Sequence, residues 1–366
     1  MKKLTGIIFF LILSFFSYSQ RDSSKTLSKI VSNTTFSAYL DIYYAYDFSN
    51  PSSHVRPSFL YNHNRHNEVN LNLGYVKVAY ASERIRANLA LMAGTYAQYN
   101  LASEQGLLRN VFEANAGIKL CKNLNLWLDA GVFTSHIGLE SPISKDCWTL
   151  TRSIVAENSP YYLSGAKVTY TTKDEKWLFS VMYLNGWQRI QRIPGNNSPN
   201  FSTQITWKPN NKLTLNYSTF IGNDKPDSAR QMRYYNNVYA IWQATSKWGL
   251  TVGFDYGLEQ RSKGSSDYNN WYTPTGIVRF SPTNKVAMAI RAEYYSDEHG
   301  VIIATGTPSG FKTSGYSINF DYKPEPFMVI RLEGRMFHSK DTIFNDRSAN
   351  PTHNNYFLVT SFAVSI

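Results

Sequence analysis

Apolar and polar residues alternate with period two along most of the chain. In the first such segment Phe36, Ala38, Leu40, Ile42, Tyr44, Tyr46 and Phe48 share one face, and Ser37, Tyr39, Asp41, Tyr43 and Asp47 share the other. That pattern predicts a strand with one apolar and one polar side. It recurs in Phe112, Ala114, Ala116, Ile118 and Leu120 against Glu113, Asn115 and Lys119. It recurs again in Trp248, Leu250, Val252, Phe254, Tyr256 and Leu258 against Gly249, Thr251, Asp255 and Glu259.

Placing strands wherever the alternation holds gives approximate spans 35–48, 67–80, 84–97, 109–121, 123–135, 162–172, 176–187 and 199–208. Eight more follow at 212–222, 233–245, 247–260, 270–280, 285–296, 312–323, 326–340 and 354–366. The second strand changes register near Gly74, which predicts a bulge. The connections sort into two alternating sets. Short turns such as TKDE before Lys176, PNNK at 209–212, SPTN at 281–284 and KPEP at 323–326 close one end, and long polar loops close the other. This asymmetry predicts an all-β chain forming an antiparallel up-and-down transmembrane barrel, with short periplasmic turns and long external loops.

Aromatics on the apolar face collect near both strand ends. Tyr80, Tyr170, Trp177, Trp207, Trp248, Phe280 and Tyr322 lie at the short-turn end, and Tyr44, Phe48, Phe112, Tyr183, Tyr256, Tyr294 and Tyr356 at the long-loop end. Two interfacial girdles are implied. A strand of about 12 residues, rising ~3.3 Å per residue and tilted by ~40°, stands roughly 30 Å tall and covers an apolar band of about 25 Å. A secreted soluble sandwich or lectin would also alternate, but with shorter strands and without paired girdles. The final strand alternates through Tyr356, Leu358, Phe362, Val364 and Ile366, with Ile366 at the terminal position.

The N-terminus sets the compartment. Met1-Lys2-Lys3 is a basic head, residues 4–16 are apolar but short for a membrane span, and Ser17 and Ser19 precede a cut before Gln20. Residues 1–19 therefore read as a cleaved signal peptide, and 20–34 as a polar periplasmic lead into a barrel of 35–366. Lys and Arg number 37 against 26 Asp and Glu, a formal +11 for the 366 residues. Removal of the signal takes two lysines and no acid, which leaves +9. A chain exported from the cytoplasm is a poor candidate for nucleic-acid binding, so the excess is assigned mainly to the periplasmic turns facing anionic headgroups, with a mildly basic wall. Two cysteines, Cys121 and Cys147, exclude a dense disulfide framework, and barrel geometry puts them too far apart to pair.

The longest connection, HIGLESPISKDCWTLTRSIVAENSPYY at 136–161, exceeds a simple turn, and Thr149 to Glu157 can form a short helix. Folded inward, it would narrow a water-filled lumen with Glu140, Lys145, Asp146, Arg152 and Glu157. Facing it would be the wall residues Arg291, Glu293, Arg331, Glu333 and Arg335, with Arg84 and Arg86 nearer the periplasm. Rings of charge of this kind set ion preference, and cross-strand ion pairs stiffening the wall are the competing role. A loop lying over the mouth is the alternative to an inward fold.

That loop, LSGAK at 163–167, NGWQ at 185–188 and LEGRMFHSKD at 332–341 resemble the beta-barrel porin family called porin-2 or OmpL-like, over nearly the whole mature chain. The resemblance implies an outer-membrane porin, a passive channel for small hydrophilic solutes or ions, with no defined substrate. Its partners would be outer-membrane lipids, the barrel-assembly machinery and, by analogy with general porins, two further copies in a homotrimer; no cofactor and no nucleic acid is implied. A barrel enzyme of lipase or protease type and a surface structural or adhesive barrel are the other two functions considered. Chemistry-bearing motifs are sparse. Ser164–Lys167 and Ser309–Lys312 match an SxxK spacing away from any helix start, His63 and His66 form an unsupported HxxH, and His136 lacks a visible nucleophile.

Overall fold

The computed structural model describes residues 23–366, so the signal peptide and the start of the lead lie outside the described residues. A helix, α1 (Ser23–Ser32), leads into the barrel. The first eight strands are β1 (Thr34–Asp47), β2 (Val69–Ala81), β3 (Ile85–Ala93), β4 (Val111–Lys119), β5 (Asn125–Thr134), β6 (Tyr162–Thr171), β7 (Trp177–Leu184) and β8 (Asn200–Asn210). The second eight are β9 (Leu213–Asn223), β10 (Met232–Trp242), β11 (Trp248–Gln260), β12 (Tyr268–Phe280), β13 (Val286–Asp297), β14 (Phe311–Tyr322), β15 (Met328–Ser339) and β16 (Asn354–Ser365). Each pairs antiparallel with its sequence neighbours, and β1 pairs with β16, so the sheet closes and no edge remains. Closure is what lets a sheet sit in hydrocarbon, where no water can serve a free edge.

The alternation resolves into an outside and an inside. Phe36, Leu40, Val181, Val252, Ile290, Ile318, Leu332 and Leu358 are all exposed on the outer surface. Their neighbours in sequence point inward and are mostly buried, as Tyr39, Asp41 and Tyr43 show at no more than 2% exposure. At the short-turn end Trp177 stacks on Trp207 at 5.4 Å and Trp248 packs on Phe280 at 4.6 Å, forming part of the lower girdle.

Two local departures from simple alternation matter. Opposite Asp41 and Ile42 the register slips, making Asn72 an extra residue in β2 near the expected Gly74 bulge. A second slip opposite Ala90 and Leu91 leaves Phe112 unpaired. Simple alternation places Phe112 in the outer girdle, but the slip moves it inward, where it is 5% exposed and stacks on Tyr75 at 5.0 Å. The third strand, expected to reach 97, stops at Ala93. Gly94 takes φ +120°, where a Cβ would collide with the carbonyl of Asn72, and the chain then turns into helix α2 (Thr95–Asn100).

The long connections are loop 1 (48–68), loop 2 (94–110), loop 3 (135–161), loop 4 (185–199), loop 7 (298–310) and loop 8 (340–353). Loop 3 contains helix α3 (Ile154–Glu157), N-capped by the Ser153 hydroxyl. Loop 8 holds a two-residue ladder between Phe344–Asn345 and Pro351–Thr352.

Candidate functional site: loop 3 across the lumen

On β13, β14 and β15, every second residue points inward. This row sets Arg291, Glu293, Asn319, Asp321, Arg331, Glu333 and Arg335 on the lumen wall, none more than 5% exposed. A buried guanidinium or carboxylate needs both charge partners and hydrogen bonds. The charge partners come from the same wall: Arg291 reaches across β14 to Glu333 at 2.8 Å, Arg335 reaches across it to Glu293, and Arg331 pairs with Asp321 of adjacent β14 at 2.7 Å. The remaining hydrogen-bond capacity is taken by the backbone of loop 3.

Thr151 and Ile154 donate their N–H groups to Glu333 and Glu293, both at 2.5 Å, and Leu150 donates to the Asn319 amide oxygen at 2.9 Å. Arg291 donates to the Thr151 carbonyl at 2.7 Å, Arg335 to the Arg152 carbonyl at 2.7 Å, and Arg331 to the Ser144 carbonyl at 2.5 Å. Wall charges thus hold the loop's main chain by donors and acceptors on both sides.

The start of loop 3 rests on the other wall. Ser218 of β9 donates to the His136 carbonyl at 2.9 Å, and Gly138 donates to Asn237 of β10 at 3.2 Å. On β11 the inward positions Gly249 and Gly253 have no side chain, and a Cβ there would run into Trp148 and Leu139 of the loop. A third inward glycine, Gly257, makes room for the Trp271 indole. Near the periplasmic end the Tyr39 and Ser144 hydroxyls lie 2.9 Å apart, and Lys145 donates to the Ser365 hydroxyl at 2.5 Å. Loop 3 therefore touches β9 to β11, β13 to β16 and β1, crossing the lumen.

Arg152 closes the loop on itself, donating to the carbonyls of Ser141, Leu150 and Pro142 at 2.6 to 2.8 Å. Glu140 accepts the Ser153 N–H at 2.8 Å and lies 3.7 Å from Arg291. Glu157 faces outward along the barrel axis and accepts N–H groups of loop 1 from Tyr61 at 3.0 Å and Asn62 at 3.1 Å. Of the five residues expected to charge a water-filled narrowing, Glu140, Arg152 and Glu157 are thus engaged in packing contacts. Lys145 is half-buried and Asp146 alone is exposed.

The wall residues split likewise. Arg291, Glu293, Arg331, Glu333 and Arg335 lie under the loop, not against open solvent. Arg86 lies below it, paired with Asp129 and placed 4.4 Å over the Trp127 ring, while Arg84 is exposed in the turn 82–84. Lys77 and Glu113 pair at 2.7 Å on the same lower wall, and Lys167 sits 4.5 Å over the Phe133 ring.

The external half of the lumen differs from the polar interior that alternation alone predicts. Phe133, Leu163, Met182, Leu184, Phe220, Tyr235, Trp271, Tyr295, Phe311, Phe337 and Phe357 all point inward there and form one buried cluster. Loops complete it with Phe59 and Leu60 from loop 1, Leu150 and Ile154 from loop 3, Ile303 from loop 7 and Phe344 from loop 8. Phe59 meets Phe311 at 4.9 Å and Phe337 at 5.4 Å. Helix α2 adds Tyr96 and Ala97 to a second cluster with Tyr39, Leu73, Met92 and Ala156. The signal for this belt is present in the sequence as breaks in alternation at strand tops, such as Tyr294-Tyr295, Met336-Phe337 and Tyr356-Phe357-Leu358.

The remaining motifs have structural roles. Ser164 and Lys167 alternate to opposite faces of β6. His63 contacts Asp41 at 3.0 Å, whereas His66 accepts the Asp47 N–H at 2.9 Å and its other ring nitrogen meets Asn50, so the two rings do not converge on a shared centre. His136 lies in the wall contact with the Thr219 carbonyl at 3.2 Å, and burial lowers its pKa to about 4.

Both cysteines are free thiols. Cys147 lies within loop 3 with its sulfur 3.3 Å from the Ser141 carbonyl, and burial pushes its pKa up to about 11, whereas Cys121 is half-buried in a short turn. The folded protein is expected to react with maleimide at Cys121 and not at Cys147 at pH 8, with both reacting after unfolding. Peptide mass mapping that finds Cys147 labelled in the folded barrel would contradict a docked loop 3.

The glycines of β11 give a second test. Gly253→Val forces Leu139 off the wall, and overpacking of this kind costs about 1–3 kcal/mol. Protease cleavage within 139–149 should become faster while the barrel keeps its heat-modifiable electrophoretic mobility. Cleavage at the wild-type rate would show that Leu139 does not anchor the loop.

A family model described as "Putative beta-barrel porin-2, OmpL-like" matches residues 33–366. No curated protein matches the chain. Among solved structures, an anion-selective porin from Comamonas acidovorans superposes with a TM-score of 0.60 at 7% identity, covering 91% of this chain and 99% of that one. OprB from Pseudomonas putida gives 0.60 at 9%, covering 94% and 97%. The outer-membrane protein OmpT of Vibrio cholerae, in its trimer form, gives 0.58 at 10%, covering 91% and 99%. At such identities the likeness concerns the fold alone.

Proposed function

The chain belongs to the beta-barrel porin-2, OmpL-like family and is an outer-membrane porin, and from that premise we propose that it is a passive diffusion channel for small hydrophilic solutes or ions whose resting state has loop 3 docked. The observation that carries this is a closed barrel with an apolar outer band and a lower lumen wall lined by Lys77, Arg86, Glu113, Asp129 and Lys167, ending at loop 3. Water and solute reach loop 3 from the periplasmic side, and passage requires the loops to move off the aromatic belt. The protein performs no chemistry on its solute and needs no cofactor. A signal peptide at 1–19 would deliver it, the barrel-assembly machinery would insert it among outer-membrane lipids, and a homotrimer is its proposed assembly.

Selectivity then rests on the lower wall. Glu113 and Asp129 are each matched by a cation, and Lys167 has no carboxylate within 4.0 Å among the described residues. A modest anion preference is expected. Planar-bilayer recordings under a potassium chloride gradient should show conductance steps with a reversal potential on the anion side. A strong cation preference would assign the field to exposed carboxylates such as Asp146.

The packed outer lumen favours a second reading, in which the loops carry the function and the barrel is a scaffold. Absence of steps from both the wild-type protein and a variant lacking 141–157 would select it over the channel.

A further inference from the structure

Beside the end of α3, loops 1, 2, 4 and 7 and the tops of β9 and β10 line a half-open cavity of about 220 Å³. Four charged side chains border it: Arg189 of loop 4, Arg233 of β10, Glu157 of α3 and Asp224 just past β9. Two cations face two anions, so the lining is formally neutral.

Each of the four keeps hydrogen-bonding capacity that the protein does not use. Arg233 is 6% exposed and held in place, because Nε and Nη2 donate to Glu259 of β11 and the guanidinium lies 5.1 Å over the Trp187 ring. Its Nη1 has no partner among the described residues and retains accessible surface. Glu157 commits Oε2 to the Tyr61 and Asn62 N–H groups and the Asn62 amide, and its Oε1 is accessible without a partner. Arg189 makes no hydrogen bond among the described residues, and its Nε lies 3.7 Å from Asp224 Oδ2. Asp224 accepts the Trp187 N–H through Oδ1 at 3.2 Å, which leaves Oδ2 open. Burial holds the Asp224 pKa above its ordinary value against the pull of Arg233 and Arg189, and raises that of Glu157 to about 7, so both carboxyls are short of positive charge. On the lumen wall the charges are sealed beneath loop 3; here unused atoms of both signs reach solvent.

The balance of charge selects the class of solute. A singly charged solute gains from one pair of side chains and is opposed by the other, whereas a zwitterion gains from both. Arg233 is already oriented by Glu259 and Trp187, which lowers the cost of binding. At ~30 Å³ per water the cavity takes roughly seven water-sized groups, the scale of a small amino acid. Val301 and Ile302 supply an apolar patch for a short side chain. We propose that this cavity binds a small neutral α-amino acid as its zwitterion, the carboxylate on Arg189 and Arg233 and the ammonium on Glu157 and Asp224. The site requires no open lumen and binding to it is measured without current, so its failure is separable from failure of the channel reading.

The test is calorimetric titration of the refolded mature chain in detergent with L-alanine, L-lactate and L-alaninamide. L-lactate replaces the ammonium by a hydroxyl, and L-alaninamide replaces the carboxylate by an amide. L-alanine should bind, with the other two at least tenfold weaker. Arg189→Gln and Asp224→Asn, both outside the strands, should each weaken L-alanine at least fivefold, and Arg233→Met at least tenfold. Arg233→Met also takes a buried partner from Glu259, so the two loop variants carry the test if it loses heat-modifiable mobility. Failure of L-alanine to bind the wild type, equal binding of L-lactate or L-alaninamide, or unchanged binding in folded Arg189→Gln and Asp224→Asn barrels would each overturn the site.

Discussion

Deleting residues 141–157 and joining the ends with a short glycine-serine link is expected to convert small or infrequent current steps into steady steps several-fold larger. The segment supplies Leu150 and Ile154 to the outer-lumen cluster and spans from the β11 glycines to β15. The barrel should survive the loss, because its strands are joined by sheet hydrogen bonds that do not involve loop 3. Arg291, Arg331 and Arg335 keep Glu333, Asp321 and Glu293 as partners and exchange the loop's backbone groups for water. A single substitution should act in the same direction by another route. Arg291→Met leaves Glu333 facing Thr151 without its strongest cation, and removing one member of a buried pair costs about 3–5 kcal/mol. If the docked loop bears that cost, its population falls a hundredfold or more, since ~1.4 kcal/mol is a factor of ten. Folded deletion protein whose steps match the wild type in size and frequency would show that loop 3 is not the barrier.

How far the molecule is legible in its sequence depends on which physical constraint acts at each position. Lipid contact is a uniform demand, so Leu40, Ile290, Ile318 and Leu358 announce an outer face by alternation alone, and strand spans follow to within a few residues. The lumen imposes no uniform demand. Arg291 and Glu333 look the same in sequence whether they meet water or a loop, because a charge is compatible with either until the loop's hydrogen-bonding groups are placed. Phe311 and Phe337 sit in the polar register of their strands, and their packing on Phe59 of loop 1, Phe344 of loop 8 and the neighbouring wall aromatics explains them. Gly249 and Gly253 read as weak points in a strand, yet each gives room for a loop side chain. Phe112 departs from the alternation because a one-residue slip inverts the face of an aromatic, and a slip carries no compositional mark.

Loop docking is also expected to depend on pH through Glu157, which with Asn158 joins loop 3 to loop 1. Burial raises its pKa to about 7, against the opposing pull of the Asn62 side chain, the Arg152 charge and the N–H groups of Tyr61 and Asn62. With the loops apart the carboxyl meets water and returns to the ordinary range near 4.5. The docked state therefore holds its proton more tightly than the undocked one. Docking is strongest below about pH 4.5, weakens as pH rises toward 7, and changes little above that, by about 3 kcal/mol in all. His63 of the same loop works in the other direction: burial lowers its pKa, so its protonation on acidification loosens loop 1. Conductance recorded between pH 5 and 8 should rise with pH if Glu157 dominates. Glu157→Gln keeps an acceptor for the Tyr61 and Asn62 N–H groups but cannot ionise, so its profile should flatten or reverse to the histidine's direction. A Glu157→Gln barrel with the wild-type slope would place the titrating group elsewhere, and a wild-type slope of opposite sign would mean that the buried carboxylate is better served by its N–H donors than burial penalises it.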